Sequence, residues 1–116
     1  MTLAVGNEIH LYDSKNLKDW SLSGKFGLDE GSHSGVWEYP DLMKIKVGNG
    51  KESKWVLQVG IGSGANNGGS VTQYFVGDFD GNTFKNDNTQ QTIFRWITAV
   101  IKTPVLPGAI PTGLYF

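Results

Sequence analysis

The sequence contains no cysteine. That excludes a disulfide framework, a thiolate metal centre and a thiol nucleophile, while leaving the redox compartment open. Charge of either sign is sparse: 18% of the 116 residues are charged and the formal net charge is -1. Nucleic-acid binding leans on a basic face, which a near-neutral chain of this kind lacks, so no nucleic-acid partner is expected. The opening run Met1-Thr2-Leu3-Ala4-Val5-Gly6 has no basic region, long apolar stretch or small-residue cleavage site, and so does not read as a signal peptide. A membrane span is absent from the first 95 residues. The apolar stretch from Ile93 to Phe116 is interrupted by Lys102, Pro104, Pro107 and Pro111, which a spanning helix would not tolerate well, so no membrane partner is expected either. The residues themselves give neither localisation nor oligomeric state.

What is present points to strands. Hydrophobic residues make up 39% of the chain, which excludes collagen-like and strongly disordered classes. Sixteen glycines and 12% aromatics predict short strands joined by tight turns, hence an all-β fold. In Glu8-Ile9-His10-Leu11-Tyr12, Ile9 and Leu11 fall on one side by a period of two, the mark of a half-buried strand. Asp13 to Trp20 reads as a turn capped by Asp, Ser and Asn side chains, with Leu17 and Trp20 packing back onto the sheet. Gly24 to Ser34 reads as a loop. A second strand group starts after Pro40, with Leu42, Ile45 and Val47 as its apolar members and Lys44 and Lys46 outward. Gly48 to Lys54 is a hairpin loop, and Trp55 to Ile61 is apolar on both sides, which predicts an interior strand. Gly62 to Gly69 is a further glycine-rich loop. Val71 to Gly77 is another strand, closed by the Asp-Gly turn chemistry of Asp78 to Asn82. Four strands at short spacing predict antiparallel meanders, as in a propeller blade or a sandwich.

The run Ser34-Gly35-Val36-Trp37-Glu38-Tyr39-Pro40-Asp41-Leu42 is the most informative for chemistry. It sets a carboxylate between two large aromatics, and apolar neighbours raise a carboxyl pKa toward the range of a general acid. By pattern alone a solvated strand-edge Glu without a task fits better. The remaining candidates are weaker. His10 and His33 have no second ligand at metal spacing and read as surface residues. Asp78, Asp80 and Asn82 crowd one turn but lack the downstream Glu of a calcium loop, so they read as turn stabilisers. Gly60-Ile61-Gly62-Ser63-Gly64 has no following Lys-Ser/Thr and is not a phosphate loop. No metal and no cofactor is expected. Trp20 and Trp55 read as core residues.

Four segments in order carry a resemblance: Ser14 to Trp20, Trp37-Glu38-Tyr39-Pro40-Asp41-Leu42, Lys54-Trp55-Val56-Leu57, and Gly69 through Gly81. Together, from about Leu3 to about Phe94, the chain resembles glycoside hydrolase family 32, the invertases, inulinases, levanases and other β-fructofuranosidases. The resemblance implies an internal fragment, roughly one to two blades, of a five-bladed β-propeller. It implies a parent enzyme that hydrolyses β-D-fructofuranosyl bonds of sucrose or fructans with retention, commonly secreted or vacuolar. Of the family's three acidic residues only the acid/base glutamate has a counterpart here, Glu38. Neither Asn-Asp-Pro, the nucleophile motif, nor Arg-Asp-Pro, the transition-state stabiliser, occurs in the sequence. Tyr39 stands where the family usually has cysteine. Trp37, beside Glu38, and Asp41, in the same motif, are the expected substrate-binding residues. Retaining hydrolysis needs acid and nucleophile about 5–5.5 Å apart, so the chain alone is expected to be inactive.

The two ends read differently from the middle. In the family, a strand like Leu3-Ala4-Val5-Gly6 follows the Arg-Asp-Pro blade directly, so Met1 reads as an internal methionine. Residues 1–95 read as a partial propeller domain and 96–116 as an aberrant tail, frameshifted or misannotated. In a shifted frame the codons of Trp96 and Ile97 must yield aspartate, and the neighbouring positions permit most of a Leu-Asp-Tyr-Gly…Ala-Gly-Val-Thr-Trp-Ser-Asn stretch like the family's. The sequence also leaves open a related enzyme acting on arabinan or levan, a non-catalytic carbohydrate-binding propeller piece, and a gene-model artefact without a stable fold.

Overall fold

Alternation of apolar and polar residues sets the strands, and tight polar turns separate them. The computed structural model describes residues 1–62, 69–88 and 94–96, and its regular elements are all strands. Strands β1 (Thr2–Val5), β2 (Glu8–Asp13) and β3 (Ser21–Phe26) form one antiparallel sheet in that order. Strands β4 (Trp37–Val47), β5 (Glu52–Ile61), β6 (Val71–Phe79) and β7 (Phe84–Asn86) form a second. A short strand β8 (Phe94–Trp96) pairs with Thr72 to Tyr74 of β6.

The two sheets meet over one core. Ile9, Leu11 and Phe26 come from the first sheet, and Trp37, Leu57, Val59, Ile61, Phe75 and Phe84 from the second. Phe26 joins them, edge-on to Phe75 at 4.9 Å and to Phe84 at 5.0 Å between ring centroids. Burying each such aliphatic or aromatic side chain contributes roughly 1.5–3 kcal/mol. The expected strand at residues 8–12 and the interior position of the Trp55 to Ile61 strand are both observed, the latter between β4 and β6.

Four expectations are corrected. Gly24 to Ser34 is not all loop, because Gly24, Lys25 and Phe26 belong to β3. Its pairing with β2 shifts register, Leu11 lying across from Gly24 but Tyr12 from Leu22, which breaks the alternation by which a strand is read, and Leu22 is exposed. Leu17 and Trp20 do not pack back: they are 76% and 38% exposed. Their turn closes on its own polar atoms instead. Ser14 Oγ accepts the Leu17 N–H at 2.8 Å, and Asn16 Oδ1 accepts the Lys18 and Asp19 N–H groups. β4 starts at Trp37 rather than after Pro40. Finally, Ile45 and Val47 are exposed: each stands an odd number of positions along from Leu42, three and five, and so lies on the other face of β4. Beyond Trp96, which ends β8, the tail lies outside the described residues, and so does most of the Gly62 to Gly69 loop. No helix among the described residues is long and apolar enough to cross a membrane.

Candidate active site

The site begins with a counting problem in β4. Trp37 and Leu42 both face the core, yet they stand five positions apart, and a regular strand would put them on opposite faces. The pairing with β5 resolves it. Glu38 lies across from Gly60 and Asp41 across from Gln58, so β4 spends three steps where β5 spends two. The extra residue is a β-bulge at Tyr39-Pro40, which bends the strand and re-aims its side chains. A proline is tolerated at such a bulge because no ladder hydrogen bond is asked of it there. The Pro40 carbonyl instead accepts the Thr2 hydroxyl at 3.2 Å, tying the two sheets together.

Tyr39 carries the distortion. Its φ is 50°, a left-handed conformation that is uncommon for a bulky residue. As a result Glu38 and Tyr39, though consecutive, both lie against one face of β5. A Cβ on Gly62 would sit 3.5 Å from Glu38 Oε2, and a Cβ on Gly60 would sit 3.5 Å from Tyr39 Cδ2. These two glycines form a bare shelf beneath the carboxylate and the ring. Asp41 continues the row opposite Gln58. Glu38, Tyr39 and Asp41 are all exposed, and among the described residues the Glu38 carboxylate has no ion pair and no hydrogen bond.

Trp37 is elsewhere. Its indole is 1% exposed, stacks on His33 with ring centroids 4.9 Å apart, and donates from Nε1 to the Ser32 carbonyl at 2.8 Å. Neighbours in a strand point to opposite faces, so the aromatic sandwich expected around Glu38 does not form. Trp37 supports the strand from below, and only Tyr39 stands beside the acid. The Ser32 carbonyl also accepts from Gln73 Nε2 at 3.3 Å, and the Ser32 N–H donates to Gln73 Oε1 at 2.9 Å. Gln73 is fully buried, so this pairing fixes the segment leading into Glu38. Gly27, at φ 104°, leaves room for the Trp37 ring, which a Cβ there would overlap.

The other candidates sort as follows. Asp80 stabilises its turn as expected: its carboxylate accepts the Asn82 and Thr83 N–H groups at 2.8 and 2.7 Å. The Thr83 N–H, with further help from Asn82, holds the Asp80 carboxyl below its ordinary 3.8. Asp78 pairs with Lys54 at 3.5 Å, and Asp87 pairs with it at 2.7 Å. His10 is half-buried rather than a surface residue. Its Nε2 is enclosed, with no hydrogen-bond partner among the described residues, 4.0 Å from Glu8. His33 is exposed at its edge but stacked on Trp37. Sequence reasoning missed Gly60 and Gly62 as parts of the site. Their spacing of two was the available signal, because it clears one face of a strand.

The family model for the N-terminal domain of glycosyl hydrolases family 32 matches residues 1–98. This chain belongs to glycosyl hydrolase family 32. It is 58% identical over 89 residues to a levanase of Bacillus subtilis (strain 168), covering 76% of this chain and 13% of the levanase. It is 44% identical over 88 residues to an extracellular exo-inulinase of Aspergillus awamori, covering 74% of this chain and 16% of that protein. A fructofuranosidase from Schwanniomyces occidentalis, solved with fructosylnystose, superposes with a TM-score of 0.71 at 37% identity, over 76% of this chain and 17% of that one. The chain thus spans well under a fifth of the length of these family 32 relatives. Those relatives hydrolyse fructans or sucrose. The family fold is a five-bladed β-propeller, and the two sheets described above are a fragment of it.

Proposed function

We propose that this chain is the acid/base-bearing section of a retaining β-fructofuranosidase that acts on sucrose or a fructan. Glu38 gives its proton to the glycosidic oxygen as the leaving group departs. An aspartate supplied from outside this sequence attacks the anomeric carbon, forming the fructosyl ester. Glu38, now a carboxylate, takes a proton from the incoming water that releases fructose. Asp41, on the same row, takes substrate hydroxyls, and Trp37 holds the strand in place beneath them. Residues 1–95 are the propeller part of this reading, and residues 96–116 are a tail out of frame with it.

One observation carries the reading. Glu38 stands exposed at the bulged end of β4, with no counter-ion or hydrogen bond among the described residues. A carboxylate held by rigid strands and left unneutralised suits proton transfer to a ligand. Because the sequence has no Asn-Asp-Pro, the purified chain is expected to release no fructose from sucrose, inulin or levan. Release of fructose would overturn that part. The role of Glu38 is tested by grafting residues 1–95 in place of the matching section of the Bacillus subtilis levanase. In an active graft, Glu38→Gln is expected to lower kcat about 10²–10⁴-fold. Turnover that survives the substitution would remove Glu38 from the mechanism.

A further inference from the structure

We propose that Tyr39 is a sugar-binding platform whose ring carries the unit next to the bond that Glu38 protonates. The inference rests on the reading of Glu38 just given, but its observations are its own. Tyr39 is 82% exposed and makes no ring contact or hydrogen bond among the described residues, so it adds little to packing. Its backbone sits at φ 50°, which for a residue with a Cβ costs about 1–2 kcal/mol. A large aromatic that is both strained and unpacked has no structural reason to be there. Such combinations persist where a ligand uses the side chain.

Geometry supplies the use. The Tyr39 ring lies over Gly60 and the Glu38 carboxylate over Gly62. Two residues along a strand amount to roughly 6.5–7 Å, about the length of one furanose unit. A sugar ring lying against the Tyr39 face would therefore bring its linking oxygen toward the Glu38 carboxyl. Side chains at positions 60 and 62 would crowd the ring and the carboxylate from beneath, and both positions are glycine. Trp37, the other aromatic of the motif, cannot serve, because its indole is enclosed in the core.

The full chain tests this by an NMR titration with nystose, a short fructan, following the amide signals of Tyr39 and Gly60. Both signals are expected to shift on titration. Tyr39→Phe keeps the ring face and should bind like the parent. Tyr39→Ala should bind about fivefold more weakly, as expected for losing one aromatic contact. Equal binding by the alanine variant, loss of binding in the phenylalanine variant, or a parent that does not bind nystose would each overturn the platform. The amide spectrum of each variant reports whether it is folded, and the phenylalanine variant changes a single exposed hydroxyl. Failure here is separable from failure of the acid/base reading, which is scored by turnover of the Glu38→Gln graft. A titration that behaves as described beside an active Glu38→Gln graft would keep the platform and discard the acid.

Discussion

The side-chain amide of Gln73 pairs with both backbone polar groups of Ser32, accepting from its N–H at 2.9 Å and donating to its carbonyl at 3.3 Å. In effect it is one rung of a β-ladder built from a side chain. The rung joins β6 of the second sheet to the segment that enters β4. Removing it strands a buried donor: Trp37 Nε1 still serves the Ser32 carbonyl, but among the described residues nothing else serves the Ser32 N–H. Gln73→Leu is therefore expected to cost about 1–3 kcal/mol in urea unfolding of the full chain. An unchanged midpoint would mean the rung carries no net stability.

Gly27 is expected to be intolerant of any side chain. At φ 104° a Cβ is strained, and it would also overlap the Trp37 ring. Gly27→Ala should cost about 2–4 kcal/mol and disturb the near-ultraviolet circular dichroism of the buried indole. If the spectrum and the unfolding midpoint both stay as in the parent, the described packing of Trp37 is wrong.

Tyr39 should respond to substitution in the opposite sense from a packed aromatic. Tyr39→Gly relieves the left-handed strain and is expected to unfold at the same or higher urea concentration. Tyr39→Val keeps a Cβ and adds branching, and should lose about 1 kcal/mol. A large loss in the glycine variant would reveal packing by Tyr39 that its exposure does not show.

The Asp80 turn gives a pH dependence whose sign is fixed. The folded carboxyl titrates below its ordinary 3.8, chiefly because the Thr83 N–H favours its charged form. Its contribution to stability is present above the unfolded value and fades as pH falls through the folded one. Thermal melts at pH 6 should thus separate the parent from Asp80→Ala, with the parent higher. The gap should narrow at acid pH below the ordinary carboxyl value. A gap that is constant with pH would assign the effect to the turn's shape and not to the charge.

Much of the fold was legible because strands announce themselves by alternation. Ile9 and Leu11 marked β2, and the segment Trp55 to Ile61, apolar on both sides, marked an interior strand. β3 was not legible, since its register shift and its exposed Leu22 leave no alternation to read. Leu17 and Trp20 misled for a related reason. Hydrophobicity predicts burial only where backbone geometry allows it, and a turn closed by Ser14 and Asn16 turns Leu17 outward at φ 61°. At the site, Glu38 was legible as a motif, but which of its aromatic neighbours stands beside it was not. That depends on the bulge, a feature of two strands together that no single-strand pattern encodes.

The same bulge can be removed without disturbing the core. A chain lacking one residue between Glu38 and Asp41 would set Trp37 and Leu42 four positions apart, on one side of an unkinked strand, with their partners Ile61 and Leu57 unchanged. Both would keep their places beneath the sheet. What would vanish is the left-handed step that sets two consecutive side chains over Gly60 and Gly62.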